Sequence, residues 1–340
     1  MNTTHEIELT RPVDLCDSQG NLNPSAAGWS RSPFHRCNLH GHPLRKKAWN
    51  YWCITTPTHL FSVTLSNVDY MGLAFIYYLD FATREFHEQT VMTALGSGFA
   101  MPDHVQDSVV FNHKEMLVEF VEKEGGIDLR VNAQNFAGMP LSATFRVTRP
   151  KDHQTLNVII PWSKTRFQFT SKQECLPAEG KVQMGDREID FAGRDCFACL
   201  DFGRGVWKYA SSWNWGAFSG WSGDNCVGVN LGGKWTDGTG YTENGIVLNG
   251  RLIKIGEEIE FEYDPADFMK PWHIRTRQTD LLDLTFTPFF ERVAKTEALI
   301  LRSEVHQMIG HYAGTIRDEA GNVYPVSQIP GWAEEHHARW

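Results

Sequence analysis

Apolar and polar residues alternate with a period of two along much of the chain, which is the pattern of half-buried β-strands. The clearest example is the segment 141–148, where Leu141, Ala143, Phe145 and Val147 alternate with small or polar residues. Similar short segments recur roughly every 8 to 12 residues with turn residues between them, a spacing typical of β-sandwiches and barrels. The pair Asn249-Gly250 is the strongest hairpin signal.

These segments predict an all-β fold with two lipocalin-like antiparallel β-barrels or curled sheets packed side by side. A chain of 340 residues is long for one hydrophobic core, which favours two domains. We place an N-terminal lipocalin-like domain at residues 1–165 and a C-terminal one at residues 166–340. Only the tail, residues 332–340, has a helical pattern, and we predict a short C-terminal helix there.

An aromatic segment at residues 201–220 is the most unusual feature of the sequence. If residues 206–218 form one strand, one face carries four large rings: Trp207, Tyr209, Trp213 and Trp215. The opposite face carries Asn214 among small or polar residues. Such a wall of rings is either a layer of the core or the lining of an apolar pocket, and a barrel of about eight strands has room for one small ligand.

Composition and charge exclude several classes of partner. A net charge of −9 argues against nucleic acids and anionic membranes, which attract clustered lysine and arginine. No apolar run has the length of a membrane span, and the N-terminus does not resemble a secretory signal. The seven cysteines are dispersed, which favours free thiols and a cytoplasmic location. The sequence does not determine the oligomeric state.

Motifs for common cofactors are weak. The glycines around Arg204 lack the spacing and the following helix of a phosphate-binding loop, and no nucleophile elbow of a serine hydrolase is present. Cys196 and Cys199 have the spacing of a redox pair but precede a predicted strand rather than a helix. The cluster around Cys37 and His40 lacks a second half for zinc. We therefore expect neither a metal nor another cofactor.

Two carboxylic acids near the aromatic segment are the candidate catalytic groups, Asp201 and Glu243. A carboxyl group close to aromatic rings has a raised pKa through desolvation and can act as a general acid near neutral pH. The alternative is structural, with Asp201 paired to Arg204 and Glu243 in a solvated loop. We add further candidates for substrate binding beside the four rings: Asn214, Asn230, Asn244 and His306.

Several tryptophan-rich blocks, including DFGRGVWKYASSWNWG, TENGIVLNGRL and GWAEEHHARW, resemble the family called domain of unknown function 2804. The resemblance covers nearly the whole chain and implies no activity. A looser resemblance is to the lipocalin-like two-barrel superfamily of carotenoid hydratases and tocopherol cyclase. That resemblance implies a hydratase, cyclase or isomerase that binds a largely apolar molecule without a metal or nucleotide.

Three functions remain open at this point. The first is a cofactor-independent, acid-initiated enzyme of the hydratase, cyclase or isomerase type, acting on a small, largely apolar or ring-bearing substrate in an aromatic-lined cavity. The second is a glycoside hydrolase that uses Asp201 and Glu243 as paired carboxyl groups. The third is a non-catalytic carrier of an apolar small molecule, which needs the pocket but no acid.

Overall fold

The computed structural model describes residues 5–298 and 301–339. Within them the only helix is a short 3₁₀ helix, Pro24–Ala26. The first fifteen strands are β1 (Val13–Asp14), β2 (Trp29–Ser30), β3 (His35–Arg36), β4 (Lys46–Thr55), β5 (His59–Asn67), β6 (Met71–Asp80), β7 (Phe86–Ala94), β8 (Val109–Asn112), β9 (Met116–Lys123), β10 (Gly126–Phe136), β11 (Met139–Thr148), β12 (Leu156–Ser163), β13 (Arg166–Met184), β14 (Arg187–Phe191) and β15 (Phe197–Val206). The remaining strands are β16 (Ala210–Ser222), β17 (Asn225–Gly233), β18 (Asn244–Leu248), β19 (Arg251–Ile255), β20 (Ile259–Glu262), β21 (Trp272–Thr276), β22 (Leu282–Ala298), β23 (Leu301–Arg317) and β24 (Val323–Arg339).

Two large curled sheets form the molecule, and both are antiparallel along their main strand order, so the all-β fold is confirmed. The main path of the first sheet runs in the order β7-β6-β5-β4-β15-β13-β11-β10-β9-β8. The second runs in the order β19-β18-β17-β16-β24-β23-β22-β21-β20. Each sheet encloses its own apolar core, because alternate side chains of a strand point to opposite faces.

The chain changes from the first sheet to the second between Val206 and Ala210. The division into domains at residues 165 and 166 stays a prediction, and β13 to β15, which follow it, belong to the first sheet. The aromatic segment is therefore not one strand, since residues 207–209 connect β15 to β16.

The prediction of a C-terminal helix is wrong for the described part of the tail. Residues 323–339 form β24, which pairs with β16 on one side and β23 on the other, and residue 340 lies outside the described residues. The sequence AEEHHA favours a helix by local propensity. Pairing along both edges overrides that preference, because a central strand satisfies all its backbone hydrogen bonds.

A layer of rings and aliphatic side chains joins the two sheets. It contains Tyr51 and Tyr77 from the first sheet and Trp215, Ile309 and Trp332 from the second. The hydroxyl groups of Tyr51 and Tyr77 are hydrogen-bonded at 2.8 Å, which satisfies polar groups that are otherwise buried. The layer holds one face of each sheet against the other and leaves a cavity beside it.

Candidate active site

A cavity of about 280 Å³ lies between the two sheets. Five tryptophans contribute to its wall: Trp49, Trp207, Trp213, Trp215 and Trp235. The ring of Trp207 stacks on that of Trp235 with centroids 5.4 Å apart and lies 5.6 Å from that of Trp213. A pocket with large apolar walls and a few convergent polar groups is the usual form of a small-molecule site.

Strand register places a row of polar groups on the cavity wall of the first sheet. Asp201 on β15 lies directly between Tyr51 on β4 and Lys172 on β13. Residues directly opposite each other in an antiparallel pair have neighbouring side chains. The ammonium nitrogen of Lys172 accordingly lies 3.0 Å from a carboxylate oxygen of Asp201. Thr170 also donates a hydrogen bond to Asp201, at 3.2 Å.

Glu243 approaches the same lysine from the second half of the chain. Its Oε2 atom lies 3.0 Å from the Nζ atom of Lys172, and its Oε1 atom accepts a hydrogen bond from the indole of Trp235 at 2.8 Å. Gly232 makes this position possible, because a Cβ atom at that residue would lie 2.1 Å from Oε1 of Glu243. The absence of a side chain on β17 therefore leaves room for the carboxyl group.

Burial and charge oppose each other in this cluster. Burial raises the pKa of Glu243, and the positive charge of Lys172 only partly offsets that effect. Burial would lower the pKa of Lys172, but the two carboxylates outweigh it and hold that pKa above its ordinary value. Lys172 is therefore a fixed ammonium group, and it also lies 4.8 Å from the ring centroid of Trp215.

A second row of polar groups belongs to the second sheet. Glu334 on β24 lies between Trp215 on β16 and Gln307 on β23. Its Oε1 atom accepts a hydrogen bond from the indole of Trp213 at 2.9 Å. Burial raises the pKa of Glu334 to about 7, although the Trp213 bond and the charge of Arg292 act in the opposite direction. This carboxyl group is therefore partly protonated at neutral pH.

His336 lies two residues further along the same face of β24. Its ring lies 4.0 Å from that of Trp213, and its Nε2 atom is hydrogen-bonded to the hydroxyl of Ser303 at 2.8 Å. Burial lowers the pKa of His336 to about 3. The imidazole is therefore neutral at physiological pH and acts in the wall as an aromatic ring with a hydrogen-bonding edge.

An ion pair connects the sheets at the other side of the cavity. Arg292 on β22 binds Glu88 on β7 with two hydrogen bonds of 3.0 and 2.6 Å. The guanidinium also lies over the ring of Tyr77, whose hydroxyl donates to Gln307 at 2.9 Å. A bidentate pair of this kind fixes the relative position of two strands.

The structure brings five of the residues selected from sequence together around the cavity: Asp201, Glu243, Trp207, Trp213 and Trp215. The pairing of Asp201 with Arg204, which the structural alternative required, does not occur, since Arg204 binds Asn50 and backbone carbonyl groups. Glu243 is buried rather than solvated. The other five residues selected from sequence do not line the cavity, and their positions are described below.

Asn214 and Asn230 lie behind the wall and hold it in place. Asn214 donates to the backbone carbonyl of Glu334 at 3.1 Å. Asn230 accepts from the indole of Trp215 at 2.8 Å and donates to the backbone carbonyl of Glu243 at 2.6 Å. Both asparagines therefore position cavity residues and do not reach the space where a ligand would lie.

Three further candidates point elsewhere. Tyr209, in the connection before β16, is half exposed. Asn244 bonds to the backbone of Gly232 and Glu257. His306 is hydrogen-bonded to Glu291 and Glu304, on the face of β23 opposite the cavity.

Sequence reasoning missed most of the cavity lining, including five residues on which its chemistry depends: Lys172, Trp235, Arg292, Glu334 and His336. The signal for two of them was present in the tail. When residues 332–338 are interpreted as a strand, Trp332, Glu334 and His336 share one face with a period of two. No local pattern marks Lys172 or Arg292, because their roles depend on partners distant in the sequence.

The described residues contain no helix with the length and apolar character of a membrane span. No curated protein sequence matches the chain. Among solved structures, kievitone hydratase from Nectria haematococca is similar over 86% of this chain and 88% of that chain, with 8% identity and a TM-score of 0.48. A structure of CghA with Sch210972 is similar over 96% and 97%, with 9% identity and a TM-score of 0.44.

At identities and TM-scores this low, the similarity does not indicate a shared reaction or substrate. The sequence itself gives a firmer relationship. The model of the family described as "Domain of unknown function (DUF2804)" matches residues 6–340, and the chain belongs to that family.

Proposed function

We propose that the protein is a cofactor-independent, acid-initiated enzyme of the hydratase, cyclase or isomerase type. Its substrate is a small, largely apolar or ring-bearing molecule that contains a carbon–carbon double bond. The observation that carries the proposal is the position of Glu334, a carboxyl group with a pKa of about 7 in the wall of a cavity lined by tryptophan rings.

Glu334 is the proton donor in this proposal. A general acid works best when its pKa lies near the working pH, because a large fraction of it is then protonated and that proton is still readily transferred. The carboxyl groups of Asp201 and Glu243 are both engaged by the ammonium group of Lys172, each at 3.0 Å, whereas Glu334 accepts a hydrogen bond from the neutral indole of Trp213. We therefore transfer the role of acid, which the sequence suggested for Asp201 or Glu243, to Glu334.

The reaction begins when the O–H bond of Glu334 breaks and a C–H bond forms at the double bond. The electron pair of that double bond makes the new bond and leaves a cation on the neighbouring carbon. The faces of Trp213 and Trp215 stabilise the cation, an effect of order 1 to 2 kcal/mol for a well-placed ring. Water then adds and gives up a proton, or a neighbouring C–H bond loses one, and Asp201 or Glu243 accepts it.

The charges around the cavity agree with a cationic intermediate. Lys172 neutralises only one of its two carboxylate partners, and Arg292 is matched by Glu88. The cluster around Lys172 therefore carries an excess negative charge when both acids are ionised. In a cavity with little water, such a charge stabilises developing positive charge more strongly than it would in solution.

Cavity size limits the substrate. The cavity of about 280 Å³ lies near the lower end of the range of roughly 300 to 1,000 Å³ that is typical of small-molecule sites. A molecule with one or two rings fits this space. A long polyene fits only if most of it lies outside the cavity.

The other two functions that the sequence left open use the same residues. The glycoside hydrolase reaction needs open space between two carboxyl groups, and here the ammonium group of Lys172 lies between Asp201 and Glu243.

A carrier of apolar molecules, the third function, needs the cavity alone. A buried, partly protonated Glu334 has no use in a carrier of apolar molecules, and this favours the enzyme.

Deuterium incorporation tests the proposal directly. Monocyclic terpenes and phenylpropenes are first tested for quenching of tryptophan fluorescence, and those that bind are incubated with the protein in D₂O. We expect an acid-initiated reaction to place solvent deuterium on carbon, detected by NMR, and expect Glu334→Gln to bind the same compounds without exchange. Binding with no exchange in the unmodified protein would favour the carrier, and full exchange in Glu334→Gln would reject Glu334 as the acid.

A further inference from the structure

We propose that Cys226 and Cys175 form a peroxide-responsive thiol pair whose oxidation joins the two sheets by a disulfide bond. Neither cysteine lines the cavity, and the inference does not depend on the proposed function. Cys175 belongs to β13 of the first sheet and Cys226 to β17 of the second. A covalent bond between them would connect a strand of the first sheet to a strand of the second.

Backbone geometry directs the Cys175 side chain toward β17. The register of β13 with β15 shifts between Gln173 and Leu176, and Cys175 has a φ of 59° in this irregular stretch. Bulges of this kind redirect a side chain out of the regular alternation. The sulfur atom of Cys175 accordingly lies 2.6 Å from where a Cβ atom of Gly228 would be, so only a glycine fits opposite it.

Gly228 and Cys226 are two residues apart on one strand and share a face. The side chain of Cys226 packs against the same apolar cluster that contains Cys175, and it shares its face of β17 with Gly228, which lies against the Cys175 sulfur. The two side chains therefore pack in one cluster between a strand of the first sheet and a strand of the second.

The two thiols differ in a way that assigns their roles. All seven cysteines lie within the described residues, and Cys226 is the one that is not buried. The hydrogen bond from Cys175 lowers the pKa of Cys226, with a further contribution from the charge of Arg194 that acts against burial. Burial raises the pKa of Cys175. Cys226 is the accessible nucleophile, and Cys175 is the thiol that resolves it.

The chemistry needs a hydroperoxide as oxidant. The thiolate of Cys226 attacks one oxygen of hydrogen peroxide, so the O–O bond breaks, an S–O bond forms and hydroxide leaves. The thiol of Cys175 then attacks the sulfenic sulfur. The S–O bond breaks, the S–S bond forms, and the released hydroxide takes the thiol proton to give water. Two electrons pass from the cysteine pair to the peroxide.

The cross-link would lie close to the candidate active site along the chain. Lys172 is three residues before Cys175 on β13. Gly232, which makes room for Glu243, is six residues after Cys226 on β17. The disulfide would fix the separation of β13, which carries Lys172, from β17, whose Gly232 lies against Glu243. We expect the oxidised protein to have a higher unfolding temperature than the reduced one.

The test treats the native full-length protein with hydrogen peroxide, blocks the remaining thiols with iodoacetamide and maps the peptides by mass spectrometry. We expect one linked peptide pair that contains Cys175 and Cys226 and has lost two hydrogen atoms. Cys53 and Cys199 are the matched control, because they are direct partners across β4 and β15 but are both buried. We expect that pair to stay reduced.

Two variants separate the roles of the thiols. Cys226→Ser should lose both the linked peptide and the rise in unfolding temperature. Cys175→Ser should instead leave a sulfenic acid on Cys226 that a dimedone probe captures. Oxidation of Cys53 and Cys199 before the proposed pair would overturn the inference, as would full alkylation of both Cys175 and Cys226 after excess peroxide.

Discussion

The indole nitrogen of Trp213 donates a hydrogen bond of 2.9 Å to the carboxyl group of Glu334, across 121 residues of sequence. This contact joins the aromatic wall to the one cavity acid whose pKa burial raises to about 7. An indole can only donate, so it fixes one carboxyl oxygen as an acceptor and leaves the proton of the acid form to the other oxygen. The relationship determines how Glu334 would present a proton to a ligand.

The pH dependence of turnover tests the role of Glu334. Because the acid form donates the proton, we expect activity to be highest below pH 7 and to fall as pH rises through about 7. Glu334→Gln should lower turnover by at least about 100-fold, the typical contribution of a general acid. Steady-state kinetics from pH 5 to 9 measures both effects.

Glu335→Gln is the matched control for that experiment. Glu335 is the next residue but lies on the other face of β24, where it contacts Tyr263 and Lys234. We expect this variant to keep the activity and the pH profile of the unmodified protein. Equal losses in the two variants would show that the tail matters for folding and not for acid catalysis.

The stability of the protein at acidic pH should depend on His336. Burial lowers its pKa to about 3, whereas an unfolded histidine titrates near 6.5, so the unfolded chain binds the additional proton between these values. Stability from this group is present above pH 6.5 and is lost as pH falls toward 3. We expect the free energy of unfolding to fall by an extra amount on the order of 2 kcal/mol between pH 6.5 and 4, compared with His336→Asn.

Urea unfolding at several pH values measures this difference. His104 provides the comparison, since it is exposed and pairs only with Asp107 at the surface. As a surface substitution, His104→Asn should change the free energy of unfolding by no more than about 0.5 kcal/mol at any of these pH values. If His336→Asn shows the same slope as the unmodified protein, His336 is not kept neutral by the fold.

Removing the shared ammonium group should destabilise the protein strongly. Lys172→Met leaves Asp201 and Glu243 buried without their common partner. Loss of one member of a buried ion cluster costs about 3 to 5 kcal/mol. The double variant Lys172→Met with Glu243→Gln should recover part of this loss, because one of the two uncompensated charges is gone.

Lys181→Met is the control at the surface, where Lys181 pairs with Glu188 and both side chains are about half exposed. An exposed pair contributes less than about 1 kcal/mol. Chemical denaturation of all three variants gives the comparison. A loss in Lys172→Met no larger than that in Lys181→Met would mean that the cluster does not stabilise the fold.

A single methyl group at position 232 should disturb the site. In Gly232→Ala the new Cβ atom would lie 2.1 Å from Oε1 of Glu243, which Trp235 and Lys172 hold in place. Overpacking of this kind costs about 1 to 3 kcal/mol. We expect lower stability, a shift in tryptophan emission and weaker binding of the compounds that quench it.

Gly233→Ala tests whether any added methyl on this strand has the same effect. Its nearest neighbour would be the ring of Phe261, at 3.3 Å, with the carbonyl oxygen of Ile259 at 3.8 Å. We expect a small change in stability and unchanged tryptophan emission. Similar emission shifts in both variants would show that the displacement of Glu243 is not the cause.

The alternation of apolar and polar residues along the sequence was sufficient to predict the all-β class of the fold. Strand periodicity in segments such as residues 141–148 is local information, and the structure confirms it as part of β11. The same local information failed in the tail, where helical propensity at residues 332–339 gives way to pairing of β24 with two neighbours. Propensity differences of a few tenths of a kcal/mol per residue are small beside the burial of a central strand.

The sequence by itself determined the sheets, the concentration of rings around residue 213 and the presence of acids near them, because each of these is a property of neighbouring residues. Only the tertiary structure decided which acids meet which cations. Lys172 reaches Asp201 through the register of β13 and β15, and it reaches Glu243 because the second sheet packs against the first. Burial raises the pKa of Glu334, and that burial depends on contacts from both sheets at once. A local sequence pattern cannot show those contacts.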